Sequence, residues 1–167
     1  MKRECLLSKL ILRFALISLP HLLVIGTAFA QAPFADEPAA KTDLREAIFR
    51  YMFEHYNNYG ATVRVFCIQP ETPQPEKFFR RFAETKPRVV WASDCEMSGP
   101  MNGVKETKTG QRGLRMTISS IRWLNGSEAE ASVEAFSDGI AANGNTLQLG
   151  LEGGHWIVKH DKLTGVS

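Results

Sequence analysis

The sequence predicts an α+β fold: one long N-terminal helix and a short second helix packed on an antiparallel β-meander. Three observations point there. An apolar stripe recurs every three or four residues from Leu44 to Tyr59. Phe78, Phe79 and Phe82 follow Pro75 at helical spacing. From Gly113 onward, segments of period two alternate with Asn-Gly and Gly-Gly pairs.

The chain opens on a segment that does not read as part of the fold. Lys2, Arg3, Lys9 and Arg13 precede an apolar run from Phe14 to Ile25, and the small residues of "TAFAQA" follow. Basic start, apolar middle and small-residue end describe a secretory signal peptide over residues 1–30, with cleavage expected after Ala30. The apolar run is broken by Pro20 and His21 and is shorter than the ~20 residues a membrane-crossing helix needs. The expectation is export to the periplasm or the medium, with no membrane attachment after cleavage. Residues 31–41, "QAPFADEPAAK", read as a flexible tether, and residues 42–167 as a single α+β domain.

Removing the leader changes the charge. The chain has 20 basic and 18 acidic residues, and the leader holds four of the former and one of the latter. What remains carries 16 against 17, a net charge of −1, so the cationic excess that nucleic-acid binding needs is missing.

The first helix starts at a capping-box pair, Asp43 with Glu46. Its apolar face is Leu44, Ala47, Ile48, Tyr51, Met52, His55, Tyr56 and Tyr59, with Gly60 as the stop. "ATVRVFCI" then reads as a strand with Val63, Val65 and Cys67 on one face, Cys67 facing inward. "QPETPQP" ends it, Pro75 opens the short helix, and "RVVWAS" is a brief strand leading to Cys95. Residues 96–112 are polar with weak periodicity and read as a loop, with a poor strand around Val104.

Cys5 leaves with the leader, and the remaining pair, Cys67 and Cys95, lacks the C-x-x-C spacing of redox and metal sites. In an oxidising compartment such a pair becomes a disulfide.

Four strands follow: "GLRMTISSIRWL", "SEAEASVEAFS", "TLQLGLE" and "HWIVK". Asn125-Gly126, a looser loop containing Asn143-Gly144, and Gly153-Gly154 separate them. In the second, Ala129, Ala131, Val133 and Ala135 face one way and the acids the other; Leu147, Leu149 and Leu151 likewise share a face. Trp156 and Val158 oppose His155, Ile157 and Lys159, and a straight strand sends His155 and His160 to opposite faces. They form no metal clamp, so the Gly-Gly stretch is a hairpin. "NGS" at 125–127 matches a glycosylation acceptor, but an Asn-Gly turn accounts for it, and "KETKTGQR" at 105–112 reads as a solvated loop.

The element order resembles the nuclear-transport-factor-2-like (NTF2-like) fold, in which a curved sheet wraps helices into a cone. The residues that carry a closer resemblance are "RFA" at 81–83, the two cysteines, "GLRMTISSIRW", "EAEASVEAF", "AANGNTLQL" and "GGHWIVKHDKLTGVS". Over residues 43–167 they resemble a family of small exported bacterial proteins of that fold. Ala135-Phe136 and Leu163-Thr164-Gly165 stand where family members often carry a tyrosine pair and a tryptophan. A cystatin-like fold, with its helix-plus-meander layout, is the alternative.

The resemblance implies a pocket, since relatives such as ketosteroid isomerase and polyketide cyclases hold acid–base sites in one. Tyr51, Tyr56 and Glu134 are the residues that could line it. No G-x-S-x-G elbow, Walker loop, H-E-x-x-H or G-x-G-x-x-G motif is present. No catalytic, cofactor or metal-ligating set emerges. The expected function is a non-catalytic binding module for a small ligand or protein partner, with a homodimer compatible. A small isomerase- or cyclase-like enzyme and a cystatin-like inhibitor are the alternatives.

Overall fold

The computed structural model describes residues 38–56, 62–97, 103–137 and 142–166. The expected leader, tether residues 31–37 and the expected Gly60 stop lie outside them. Helix α1 spans Pro38–Tyr56, five residues longer at its start than the capping box implied, so tether residues 38–41 are helical. Proline suits a first helical position because its missing N–H has no intrahelical partner there. Asp43 is thereby left inside the helix, where it accepts a bond from Arg81.

The buried face of α1 is also turned from the expected stripe. Leu44, Ile48, Met52 and Tyr56 are buried as anticipated, but Phe49 and Phe53 join them while Ala47 and Tyr51 are half-buried and His55 exposed. The short helix α2, Glu76–Phe79, and the 3-10 turn Arg80–Phe82 explain this. They bring Phe78 and Phe82 against Phe49 and Phe53, with ring centroids 5.2–6.4 Å apart. Arg45 is buried too, its guanidinium donating to Glu71 and Thr72 in the connection after β1.

Among the described residues eight strands form one mixed sheet: β1 Val65–Gln69, β2 Arg88–Trp91, β3 Cys95–Met97, β4 Val104–Glu106, β5 Arg112–Asn125, β6 Glu128–Phe136, β7 Ala142–Glu152 and β8 His155–Val166. The order is β2-β1-β5-β6-β7-β8, with β4 pairing β3 and β5. The meander β5–β8 is antiparallel as expected. The sheet as a whole is not, because β1 runs parallel to both β2 and β5. A central parallel strand is covered on both faces, which is why β1 reads as the continuous apolar run "VFCI". Phe66 and Ile68 face the helices, whereas Val65 and Cys67 face the other way into a second, smaller cluster with Val90 and Val104. Cys67 is therefore buried, but on the outer face.

Cys67 and Cys95 form a disulfide across 28 residues. It fastens β3, and with it the β3–β4 hairpin, over the outer face of β1. Cys95–Met97 and Val104–Glu106 are this hairpin's arms, whereas the sequence reads as a loop from residue 96 with one poor strand around Val104. A Cβ on Gly113 would sit 2.9 Å from the Cys67 sulfur, so that position has no room for a side chain. Glu106 is buried beside the clip and accepts from Arg88 and Thr109. The Arg88 guanidinium holds its carboxyl below the usual range against the opposing effect of burial.

The described pairings of the meander carry four register shifts, and two of them decide which mid-strand side chains face inward. β5 slips register between Ile118 and Ser120, and β8 slips where Val158 pairs Leu149 but His160 pairs Gln148. Each extra residue reverses the alternation beyond it. Ile121 and Trp123 thus turn inward after Ser119, and Trp123 meets Trp156 edge-on at 5.4 Å. The Asn125 side chain accepts from the amide and hydroxyl of Ser127, closing the first turn. Asn143-Gly144 lies inside β7 instead of at the turn tip. Gly153 and Gly154 have φ of 56° and 83°, the positive values their hairpin requires.

Candidate functional site

Two constellations could carry chemistry, one on each face. On the inner face, the slip at Lys159 turns Asp161 toward α1, in register with buried Leu147. The Tyr51 hydroxyl donates to one Asp161 oxygen at 2.7 Å and the Asn145 amide donates to the other. Tyr56 donates to Asn145 Oδ1 at 3.4 Å. His55 lies 3.8 Å from Asp161 and packs against both tyrosine rings. Burial raises the Tyr51 phenol well above its ordinary value, and the hydrogen bond to Asp161 and its charge push the same way. The phenol is thus held protonated by a carboxylate whose two oxygens are both engaged. A cleft between α1 and β8 reaches Tyr51, but Asp161, Asn145 and Tyr56 do not line it.

On the outer face a groove of about 720 Å³ runs across the strand ends from Gln69 on β1 to Val166 on β8. Its lining includes Phe136 and the exposed residues Met97 (58%) and Val166 (66%). Its polar groups include Arg115, Thr117, Glu134 and Gln69. Arg115 donates to Gln69 Oε1, and Glu134 accepts from the Ser119 hydroxyl at 3.1 Å.

No family model, no curated protein and no solved structure matches the chain.

The three residues expected to line one pocket are therefore divided. Tyr51 and Tyr56 share the inner network, while Glu134 faces the outer groove beyond the sheet. Sequence reading missed Asn145, Asp161 and Arg115. Period two places Asp161 with His155, Ile157 and Lys159, on the solvent side, until the slip reverses it. Arg115 looked like any polar residue on a half-buried strand. The two histidines of β8 are both exposed, since the same slip returns His160 to the outer face beside Gln148. They pair with residues four positions apart on β7, about 13 Å at ~3.3 Å per residue, too far to share an ion. Among the described residues no group of three or more His, Cys, Asp or Glu is placed to hold a metal. Among them, too, no helix is long and apolar enough to cross a membrane.

Proposed function

We propose that this chain is an exported, non-catalytic binding module of the NTF2-like class, whose ligand seats on the outer face of the sheet. One observation carries the reading: the inner face, where a pocket enzyme of this class would be hollow, is filled. Phe49, Phe53, Phe66, Phe78 and Phe82 pack ring against ring there, each almost wholly buried. The tyrosine–carboxylate pair beside them is spent on itself and on docking α1 to β8. The disulfide agrees with an oxidising compartment. A cystatin-like inhibitor has less support, because two of the sheet's pairings are parallel.

The test is a thermal-shift screen of the oxidised protein against a small-molecule library, followed by mass analysis of each stabilising compound after prolonged incubation. The expected result is ligands that stabilise the fold and are recovered unchanged. Chemical conversion that disappears in Tyr51→Phe or Asp161→Asn, with the fold intact, would replace this reading by the isomerase- or cyclase-like one.

A further inference from the structure

We infer that the outer groove takes a small amphipathic carboxylate, its head on Arg115 and its tail along Phe136 toward Val166. This rests on the binding reading above and adds the ligand's chemical class.

The charge of Arg115 is the starting point. Arg45, Arg50, Arg81, Arg88 and Arg122 each meet a carboxylate. Arg115 is half-buried, yet its hydrogen bond goes to the neutral amide oxygen of Gln69. A half-buried guanidinium gains most from an anion it can grip with two parallel N–H groups, and a carboxylate has that planar geometry. The groove's acid, Glu134, does not supply it. Glu134 pairs in register with Thr117, and its carboxylate is turned to Ser119, farther along β5 from Arg115. The Thr117 hydroxyl, next on the outer face of β5, is a second donor for the same head group.

The rest of the groove suits a tail. From Arg115 on β5 to Val166 on β8 is three inter-strand steps, about 14 Å at ~4.8 Å each. The residues lining that span are Phe136 and Glu134 on β6, Gly144 on β7 and Gly165 on β8, with Glu134 in register with Gly144 and its carboxylate turned to Ser119. The two glycines bring no side chain of their own, the Thr164 hydroxyl lies close to Gly144, and exposed Val166 lines the far end of the groove. A volume of about 720 Å³ falls among small-molecule sites of roughly 300–1,000 Å³.

The experiment is an amide-resolved NMR titration of the oxidised protein with three probes of equal tail, decanoate, decanol and decylammonium. Decanoate should saturate shifts at Thr117, Phe136 and Gly165, with decanol about tenfold weaker and decylammonium weaker still. Arg115→Gln, on a half-exposed strand face, should keep the fold and weaken decanoate by about tenfold or more, with Arg115→Lys between. Glu134→Gln should tighten decanoate a few-fold by removing the like charge. Equal binding of decanoate to wild type and Arg115→Gln overturns the inference. Equal binding of all three probes, or a preference for decylammonium, overturns the anion preference while leaving the binding reading intact. Silence of the groove amides to all three probes also overturns it, and the library screen then judges the broader reading by itself.

Discussion

On the inner face of the sheet five phenylalanines meet under α1, whereas the outer face holds a small cluster of Val65, Cys67, Val90 and Val104 fastened by a disulfide. The inner face gains its stability from buried area, which scales with the number of large side chains removed from water. The outer face has too few of those and relies on a covalent tie that restricts the unfolded chain. This contrast decides where a ligand can sit. The closely packed inner face leaves its cleft only at the α1–β8 edge, while a face held by one clip at the β1 end can leave an open groove beside it.

The largest effect tests the inner half of that contrast. Phe49→Ala removes a fully buried ring in contact with Phe53, Phe78 and Phe82 and should cost about 3–5 kcal/mol in urea unfolding. Trp156→Ala, buried against Trp123, belongs to the same class. Phe136→Ala, half-buried at the groove wall, should cost about 1 kcal/mol. If Phe136→Ala proved as costly as Phe49→Ala, the outer face would be a second packed core and the contrast would fail.

Next comes the clip. Replacing Cys67 and Cys95 together by alanine opens a loop closed across 28 residues and should lower stability by about 3.5 kcal/mol on the chain-entropy account. Hydrogen exchange sharpens the point: the faster-exchanging amides in this variant should be those of Cys95–Met97 and Val104–Glu106, with α1 unchanged in rank. Uniform acceleration across both faces would mean that the disulfide supports the whole fold and not one side of it.

The contrast between faces also explains what the sequence could reveal. Period-two alternation found β6 and β7, Gly153-Gly154 found the last turn, and the cysteine spacing pointed to the disulfide. All three are local or covalent signals. The parallel seating of β1 between β2 and β5 is non-local, and its residues read as an apolar run whichever neighbours they have. The β3–β4 arms are three residues each and polar, too short for a period to show. The slips at Ser119 and Lys159 are one-residue insertions that no composition marks, yet they decide that Trp123 and Asp161 face inward. Half of the inner network was therefore legible through its tyrosines, and the carboxylate that completes it was not.

That network makes the third prediction. Tyr51→Phe removes a donor from a half-buried carboxylate and should cost about 1.5 kcal/mol near neutral pH. The pH dependence separates this from lost packing. The folded phenol keeps its proton beyond its ordinary value of 10.0, so above that pH the unfolded chain has released a proton that the folded chain retains. Unfolding is then favoured as pH rises, and wild-type stability should decline above about pH 10. Urea midpoints between pH 8 and 11 should show this decline in wild type and a shallower one in Tyr51→Phe. Parallel curves for the two proteins would mean that the phenol is not held by Asp161.

The smallest effect is expected where two histidines first drew notice. His155 and His160 are exposed on the outer face of β8, opposite Glu152 and Gln148. Neither fills a packed space, so each change to alanine should stay within about 0.5 kcal/mol, and the double change should be the sum of the two. Added zinc should leave the melting temperature of wild type and double variant equally unmoved, because sites about 13 Å apart along the strand cannot share one ion. A zinc-dependent stabilisation of wild type that vanished in the double variant would show a metal reached through a second chain or a changed register. It would move functional weight from the Arg115 groove to the edge strand, and the comparison of the two faces would need a third surface.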